Sequence, residues 1–497
     1  MITPCLRRTD LLLVVSPANA RAVYMPFYFL YLVGYLEKHG FSVDIVETHA
    51  KVREENIQTI LREIACKDPR FIGLASFVTD YDIVVSLAKE IKKSSDAKIM
   101  VGNAHPSIAP EDFLYAGSPF DIVVRGEGEL TVKQILTEYR EESDLDKIAG
   151  IAFLKDGTVK ITQNRELMDL SECGMPAYHK IDMRWYQRPT KYIIRRLAMS
   201  AAVIYIGRGC PFRCSFCASD SVWQANDRPK GMPMVRKRPM THVIEDLRIL
   251  QDVYNFDFFY ILDDTFGVRR DDIVAFCQAY KESGLQMLWA AETRVNCISD
   301  EKIVAILKES GCIQLDFGVE TGSPKLLQRI RKAAYVEQTI MAFDLCKKNG
   351  IRTFANILLN LPGEDEEDLQ LTHELLHRIK PTYTSIGVTM PYPGTEICKA
   401  LPRPIRKEDY GKFARTLPPE EYRMCTHKHN LKRLLFSWFL RYDIIAPFEK
   451  SLFDADARYW RKILGSRHRW AYALYLAKDI PLTFLSFFAF FRHYLRR

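Results

Sequence analysis

Several features that would define an exported, membrane-spanning or nucleic-acid-binding protein are missing from this 497-residue chain. The apolar run Ile480 to Phe491 is 12 residues, where a bilayer span needs about 20, and Lys478, Asp479 and Pro481 interrupt any longer helix. No secretory signal precedes the twelve cysteines, and nine of them (Cys5, Cys66, Cys173, Cys277, Cys297, Cys312, Cys346, Cys398 and Cys425) are scattered singly. That pattern excludes a disulfide framework and points to a reducing cytoplasm. No nucleic-acid module accompanies the basic loop Arg228 to Pro239, so nucleic acid is not an expected partner. The loop reads either as a phosphate-binding segment or as a solvated charge run. Net charge is +8, yet Leu431 to Arg497 holds 13 Lys and Arg against 5 Asp and Glu, which leaves the rest of the chain neutral.

Against these absences stand three cysteines in eight residues. Cys210, Cys214 and Cys217 lie in Gly207-Arg-Gly-Cys-Pro-Phe-Arg-Cys-Ser-Phe-Cys-Ala218, directly after an apolar strand-like run, Ala202 to Ile206. Three soft thiolates on one tight loop suit an iron–sulfur cluster with one iron left open. A structural zinc site would need a fourth ligand, and the nearest further His or Cys in sequence is His242. Zinc or free thiols are the alternatives.

This loop, with Phe216 before the last cysteine, resembles the signature of the radical S-adenosylmethionine (SAM) superfamily. The resemblance implies a [4Fe-4S] cluster on Cys210, Cys214 and Cys217, SAM chelated to the open iron, and reductive cleavage to a 5′-deoxyadenosyl radical. It also implies an external reductant such as a flavodoxin or ferredoxin.

The first 150 residues alternate apolar runs (11–15, 42–47, 71–77, 98–102, 121–124) with amphipathic stretches (28–39, 57–66, 81–93, 130–139). Five β-α units predict an α/β, doubly wound, Rossmann-like (flavodoxin-like) domain, with ligands outside the carboxyl ends of its strands. Val101-Gly-Asn-Ala-His-Pro-Ser107 and Val124-Arg-Gly-Glu-Gly-Glu-Leu-Thr131 resemble the N-terminal cobalamin-binding domain of one radical SAM subclass. By that resemblance Ser76, Gly102, His105, Gly126 and Glu127 are candidate cobalamin contacts. No D-x-H-x-x-G motif occurs, so no histidine from it can ligate cobalt. His105 could equally cap a loop, and a flavodoxin-like domain without ligand is the bland alternative.

Residues 151–195 read as a connector with a hairpin broken at Asp156-Gly157, and 196–410 as a second β-α series whose six apolar runs predict a partial (β/α)6 barrel. Its strand ends carry, in order, the cysteine loop, Asp263-Asp264, Glu292-Thr-Arg294, Glu320, Pro362-Gly363-Glu364 and Pro391-Tyr-Pro-Gly-Thr395. The resemblance makes Asp263, Asp264, Arg294, Glu320, Pro362 and Gly363 candidate SAM contacts. The plainer alternatives are a helix cap for the aspartates, an Arg294–Glu320 ion pair, and simple turns for the proline loops. Residues 411–497 are expected to be helical, basic and aromatic, lying on an anionic membrane surface or capping the barrel.

The layout also resembles the anaerobic magnesium-protoporphyrin cyclase. Methylation of an unactivated carbon or phosphorus in a small-molecule or lipid-like substrate is the favoured expectation, and oxidative ring formation the alternative. A tRNA methylthiotransferase would bring a second cysteine set, and a cofactor sensor would not need a complete cluster loop.

Overall fold

The computed structural model describes residues 8–16, 25–49, 53–190, 193, 197–413, 420–445 and 457–477. The first sheet is built on β1 (Leu11–Val14), β2 (Val43–Val46), β3 (Phe71–Ala75), β4 (Lys98–Gly102) and β5 (Ile122–Val124), all parallel in the order β2-β1-β3-β4-β5. These runs are almost wholly apolar because helices cover both faces: α1 (Phe27–Lys38) and α4 (Gly128–Glu138) pack one side, α2 (Arg53–Lys67) and α3 (Tyr81–Lys92) the other. Chain order reverses between β1 and β3, which opens a crevice above the carboxyl ends.

The sheet does not stop at residue 150. The hairpin β6 (Ile151–Lys155) and β7 (Thr158–Ile161), expected in a connector, adds two antiparallel strands to the β5 edge. Beyond it the chain crosses under α1, where Ala177 N–H donates to Leu30 O at 3.0 Å. A side chain at Gly34 would place its Cβ 1.8 Å from Met175 O, so the two segments are in backbone contact. A fragment ending at 150 would therefore lose an edge of its sheet and the cover over α1.

The second sheet holds six parallel strands in sequence order: β8 (Ala201–Ile204), β9 (Phe258–Phe266), β10 (Leu288–Thr293), β11 (Cys312–Glu320), β12 (Arg352–Leu359) and β13 (Tyr383–Val388). Each crossover carries a helix, giving a (β/α)6 partial barrel with all carboxyl ends on one rim.

The C-terminal region divides. Leu431–Trp438 and the following turn to Ile445 pack beside β13, with Leu431, Trp438 and Tyr442 buried in the main core. Ala457–Gly465 and the helix at 469–477 close the barrel's amino-terminal end: Tyr459, Ile463 and Tyr472 join a cluster with Ala201, Phe258, Leu288 and Ile313, all at strand starts. These stretches are caps. The apolar run Ile480 to Phe491 lies outside the described residues.

Candidate active site

The cysteine loop follows β8 and is held from the end of β9. Asp263 accepts hydrogen bonds from the Ile206 and Gly207 N–H groups at 2.7 and 3.0 Å, and Asp264 from Gly209 N–H at 2.9 Å and Ser219 Oγ–H at 3.0 Å. Neither caps the next helix, which starts at Arg270 after an Arg269 N-cap. Consecutive side chains on a strand point oppositely, so two adjacent carboxylates can grip both arms of one loop.

The three thiols are free of disulfides and half-buried. Arg294 lies against Cys214, its Nη1 3.4 Å from the Sγ and its guanidinium 3.7 Å above the Phe212 ring, while its buried Nη2 has no hydrogen-bond partner. An idle cationic donor beside a thiol of the three-cysteine loop fits an anionic cluster. Among the described residues, Glu364, Cys425 and His427 form a second group whose ligand atoms all lie within 4.8 Å of one another.

That second group is a hydrogen-bonded clamp. His427 Nδ1 faces Arg423 Nη2 at 3.4 Å, and a guanidinium can only donate, so the hydrogen sits on Nε2 and points to Glu364 Oε2 at 3.4 Å. Both ring nitrogens are thus engaged by side chains. The clamp seats residues 424–427 on the Pro362-Gly363 turn, where Gly363 N–H donates to Met424 O at 2.9 Å and Arg329 Nη1 to Pro362 O at 3.0 Å. Pro362 and Gly363 do not reach the central cavity.

Nor do Arg294 and Glu320 pair. Glu320, at φ +67°, is buried against Lys332 Nζ at 2.6 Å. Its neighbour Glu292, passed over as a contact in the sequence, does face the cavity. The protein packed around that opening, with Asp316 and Glu320 close by, pushes its carboxyl up to about 7, and Lys332 opposes the shift.

The cavity encloses about 920 Å³ between the two sheets. The first sheet lines it with Phe77, Gly102, Gly126 and Glu127, and the barrel with Cys217, Asp263, Asp264 and Glu292. Its deep part is apolar, formed by Leu11, Leu13, Met100 and α1. His49, at the end of β2, also faces it, stacked on Trp185 with centroids 4.2 Å apart. Applying the strand-end rule to β2 would have found it.

Two first-domain candidates turn away from this space. His105 is fully buried, its Nε2 2.8 Å from Asp112 Oδ2, with Tyr81, Phe113 and Tyr410 around the ring. Ser76 is likewise buried, donating to Asp80 Oδ1 at 3.2 Å. Apolar packing around a polar loop, not visible in its sequence, decides both.

Glu127 lines the cavity, but its carboxylate is occupied by the barrel. Arg236 reaches it with two nitrogens at 2.8 and 2.9 Å, and Arg208 with one at 3.0 Å; Arg208 also meets Glu129 at 2.6 Å. Burial alone would raise the Glu127 carboxyl, and the two guanidiniums more than reverse this, holding it below the usual range. A second knot joins α1 to the barrel: Arg238 donates to Tyr31 Oη at 2.8 Å and Asp246 Oδ2 at 2.9 Å, and Tyr178 donates to Asp246 Oδ1 at 2.6 Å. The basic loop is thus neither phosphate site nor solvated run at Arg236 and Arg238. Both arginines are interdomain ties.

A flavodoxin-like sheet thus faces a partial barrel, with the three-cysteine loop at their shared cavity. The family model of the radical SAM superfamily matches residues 204–376, and that of the B12 binding domain residues 15–136. An uncharacterized methyltransferase of Pyrococcus horikoshii is 30% identical over 334 residues, 66% of this chain and 69% of that protein. The anaerobic magnesium-protoporphyrin IX monomethyl ester cyclase of Rubrivivax gelatinosus is 24% identical over 396 residues, covering 78% and 68%. The structure of the radical SAM methyltransferase TsrM from Kitasatospora setae superposes with a TM-score of 0.65 at 18% identity, covering 80% of this chain and 78% of that one, a likeness of fold. The chain belongs to the radical SAM superfamily, in its branch with an N-terminal B12 binding domain. Its cofactors are a [4Fe-4S] cluster, SAM and cobalamin.

Proposed function

We propose that this enzyme methylates an unactivated carbon or phosphorus centre of a small molecule. The observation that carries the reading is the single cavity onto which both cofactor domains open: Cys217, Asp264 and Glu292 share it with Phe77, Gly102 and Gly126. The loop of Cys210, Cys214 and Cys217 would hold the cluster and the first-domain strand ends the cobalamin, which together with SAM would supply radical and methyl-transfer chemistry at this cavity. Asp264 and Glu292 line the cavity and would offer carboxylate oxygens to the ammonium of SAM. Arg294 faces the cluster side through Cys214, while Phe77 and the apolar depth of the first domain exclude water. Oxidative ring formation is the second reading, supported by the cyclase relative. Electrons come from a small one-electron carrier such as a flavodoxin or ferredoxin. We place the protein in the cytoplasm, with peripheral contact to the inner membrane face through its basic C-terminal region.

The test supplies methyl-labelled SAM and a reductant to reconstituted protein with extracts of a deletion strain. Methyl transfer yields S-adenosylhomocysteine and 5′-deoxyadenosine together with a labelled product. Deoxyadenosine and a product two hydrogens lighter, with no S-adenosylhomocysteine, would favour ring formation. Changing Cys210, Cys214 and Cys217 to Ala should abolish both the cluster's visible absorbance and SAM cleavage. Retained cleavage in that variant overturns the assignment of the loop.

A further inference from the structure

Among the described residues, no helix is long and apolar enough to cross a membrane. Even so, the last described helix, 469–477, has an unusual balance. Of its residues Arg-Trp-Ala-Tyr-Ala-Leu-Tyr-Leu-Ala, only Tyr472 is buried. Trp470 is 74% exposed and Leu474 62%, and Leu464 on the preceding helix is 71% exposed. The exposed arginines Arg461, Arg467 and Arg469 flank them. Residues 478–497 continue the theme in sequence, with Ile480 to Phe491 followed by Arg492, Arg496 and Arg497.

We infer that this end of the barrel is a docking surface for an anionic bilayer, and that it holds the active cavity away from the lipid. An exposed Trp and leucines with exposed arginines close by in sequence match the interfacial zone, where the indole sits among headgroups and the guanidiniums meet lipid phosphates. The helices that carry them are fixed to the barrel floor: Tyr472 Oη–H donates to Asp257 Oδ2 at 2.6 Å, and Arg458 to the Cys312 carbonyl at 2.8 Å. Asp257 precedes β9, whose far end holds the cysteine loop through Asp263 and Asp264. At the rise of a β-strand these points lie roughly 20 Å apart. A bilayer seated at the floor therefore localises the enzyme without feeding acyl chains into the cavity. That removes the tail as support for a lipid-like substrate and favours a water-soluble one. The inference deepens the peripheral contact proposed above and rests on it.

The test uses full-length holoprotein sedimented with phosphatidylcholine vesicles, with or without a quarter phosphatidylglycerol. Binding should require the anionic lipid and weaken with salt without vanishing. Trp470→Glu with Leu474→Glu should lower the partition coefficient on the order of tenfold or more. SAM cleavage in that variant should be unchanged, because neither side chain approaches the cavity. Failure of the wild type to bind overturns the peripheral contact itself. Binding that the double variant retains leaves the contact and overturns this surface, moving it to residues 478–497. Loss of SAM cleavage on vesicle binding would overturn the separation of anchor and cavity.

Discussion

Removing Glu127 tests the domain clasp most directly. Its carboxylate is nearly buried, at 6% side-chain exposure, against Arg236 at 4% and Arg208 at 15%. In Glu127→Ala, Arg208 keeps Glu129, but Arg236 retains the Met168 carbonyl and the Trp223 ring face and is left as a buried charge without a carboxylate. Breaking a buried pair from one side costs about 3–5 kcal/mol, and the surviving Glu129 contact points to the lower part of that range. The assay is urea unfolding of the holoprotein, read at the first transition because a two-domain chain need not unfold in one step. Adding Arg236→Met should recover part of the loss, since an apolar pair of similar volume needs no compensation. The pH dependence has a definite sign. A carboxyl held below its ordinary value of about 4.5 stabilises the fold fully above that value. The stabilisation fades as pH falls through the depressed folded-state value. The gap between wild type and Glu127→Ala should therefore be full at pH 7 and shrink below pH 4.5. A gap under about 1 kcal/mol at pH 7, or a double variant as unstable as the two single losses added, would refute the clasp.

Two glycines on the cavity wall should respond differently to alanine. At Gly126 (φ +68°) a Cβ would lie 1.9 Å from Asn226 Oδ1, so Gly126→Ala should loosen the domains and lower stability by about 1–3 kcal/mol, read by the same unfolding assay. At Gly102 the nearest atom would be 3.5 Å away, so Gly102→Ala should fold normally and show its effect only as weaker cobalamin retention on gel filtration. With the Glu292 carboxyl raised to about 7, SAM affinity measured by equilibrium dialysis should improve as pH rises through 7, when the carboxylate forms. Glu292→Gln should flatten that profile, and an unchanged profile would remove Glu292 from the ammonium site.

Periodicity and spacing alone carried much of this protein. Fully buried parallel strands read as continuous apolar runs, so β1 to β5 and the six barrel strands were legible, and the three thiols were recognisable because cluster ligation demands soft donors on one short loop. The strand-end rule also led to Asp263 and Asp264, which the structure shows lining the cavity and holding the cysteine loop, since polar groups on such sheets gather at one rim. Only the tertiary structure decided what each polar group faces. His105 sits on a loop that looks ligand-binding, yet Tyr81, Phe113 and Tyr410 enclose its ring and Asp112 takes its hydrogen. Glu127 and Arg236 are 109 residues apart and meet across a domain interface that no local pattern encodes. Glu292 owes its raised carboxyl first to the protein packed around it and then to Asp316 and Glu320 on the next strand. Local sequence determines which backbone conformation buries its own apolar face. The partner of a buried charge depends on how two independently patterned sheets come to rest against each other, and that is a property of the whole chain.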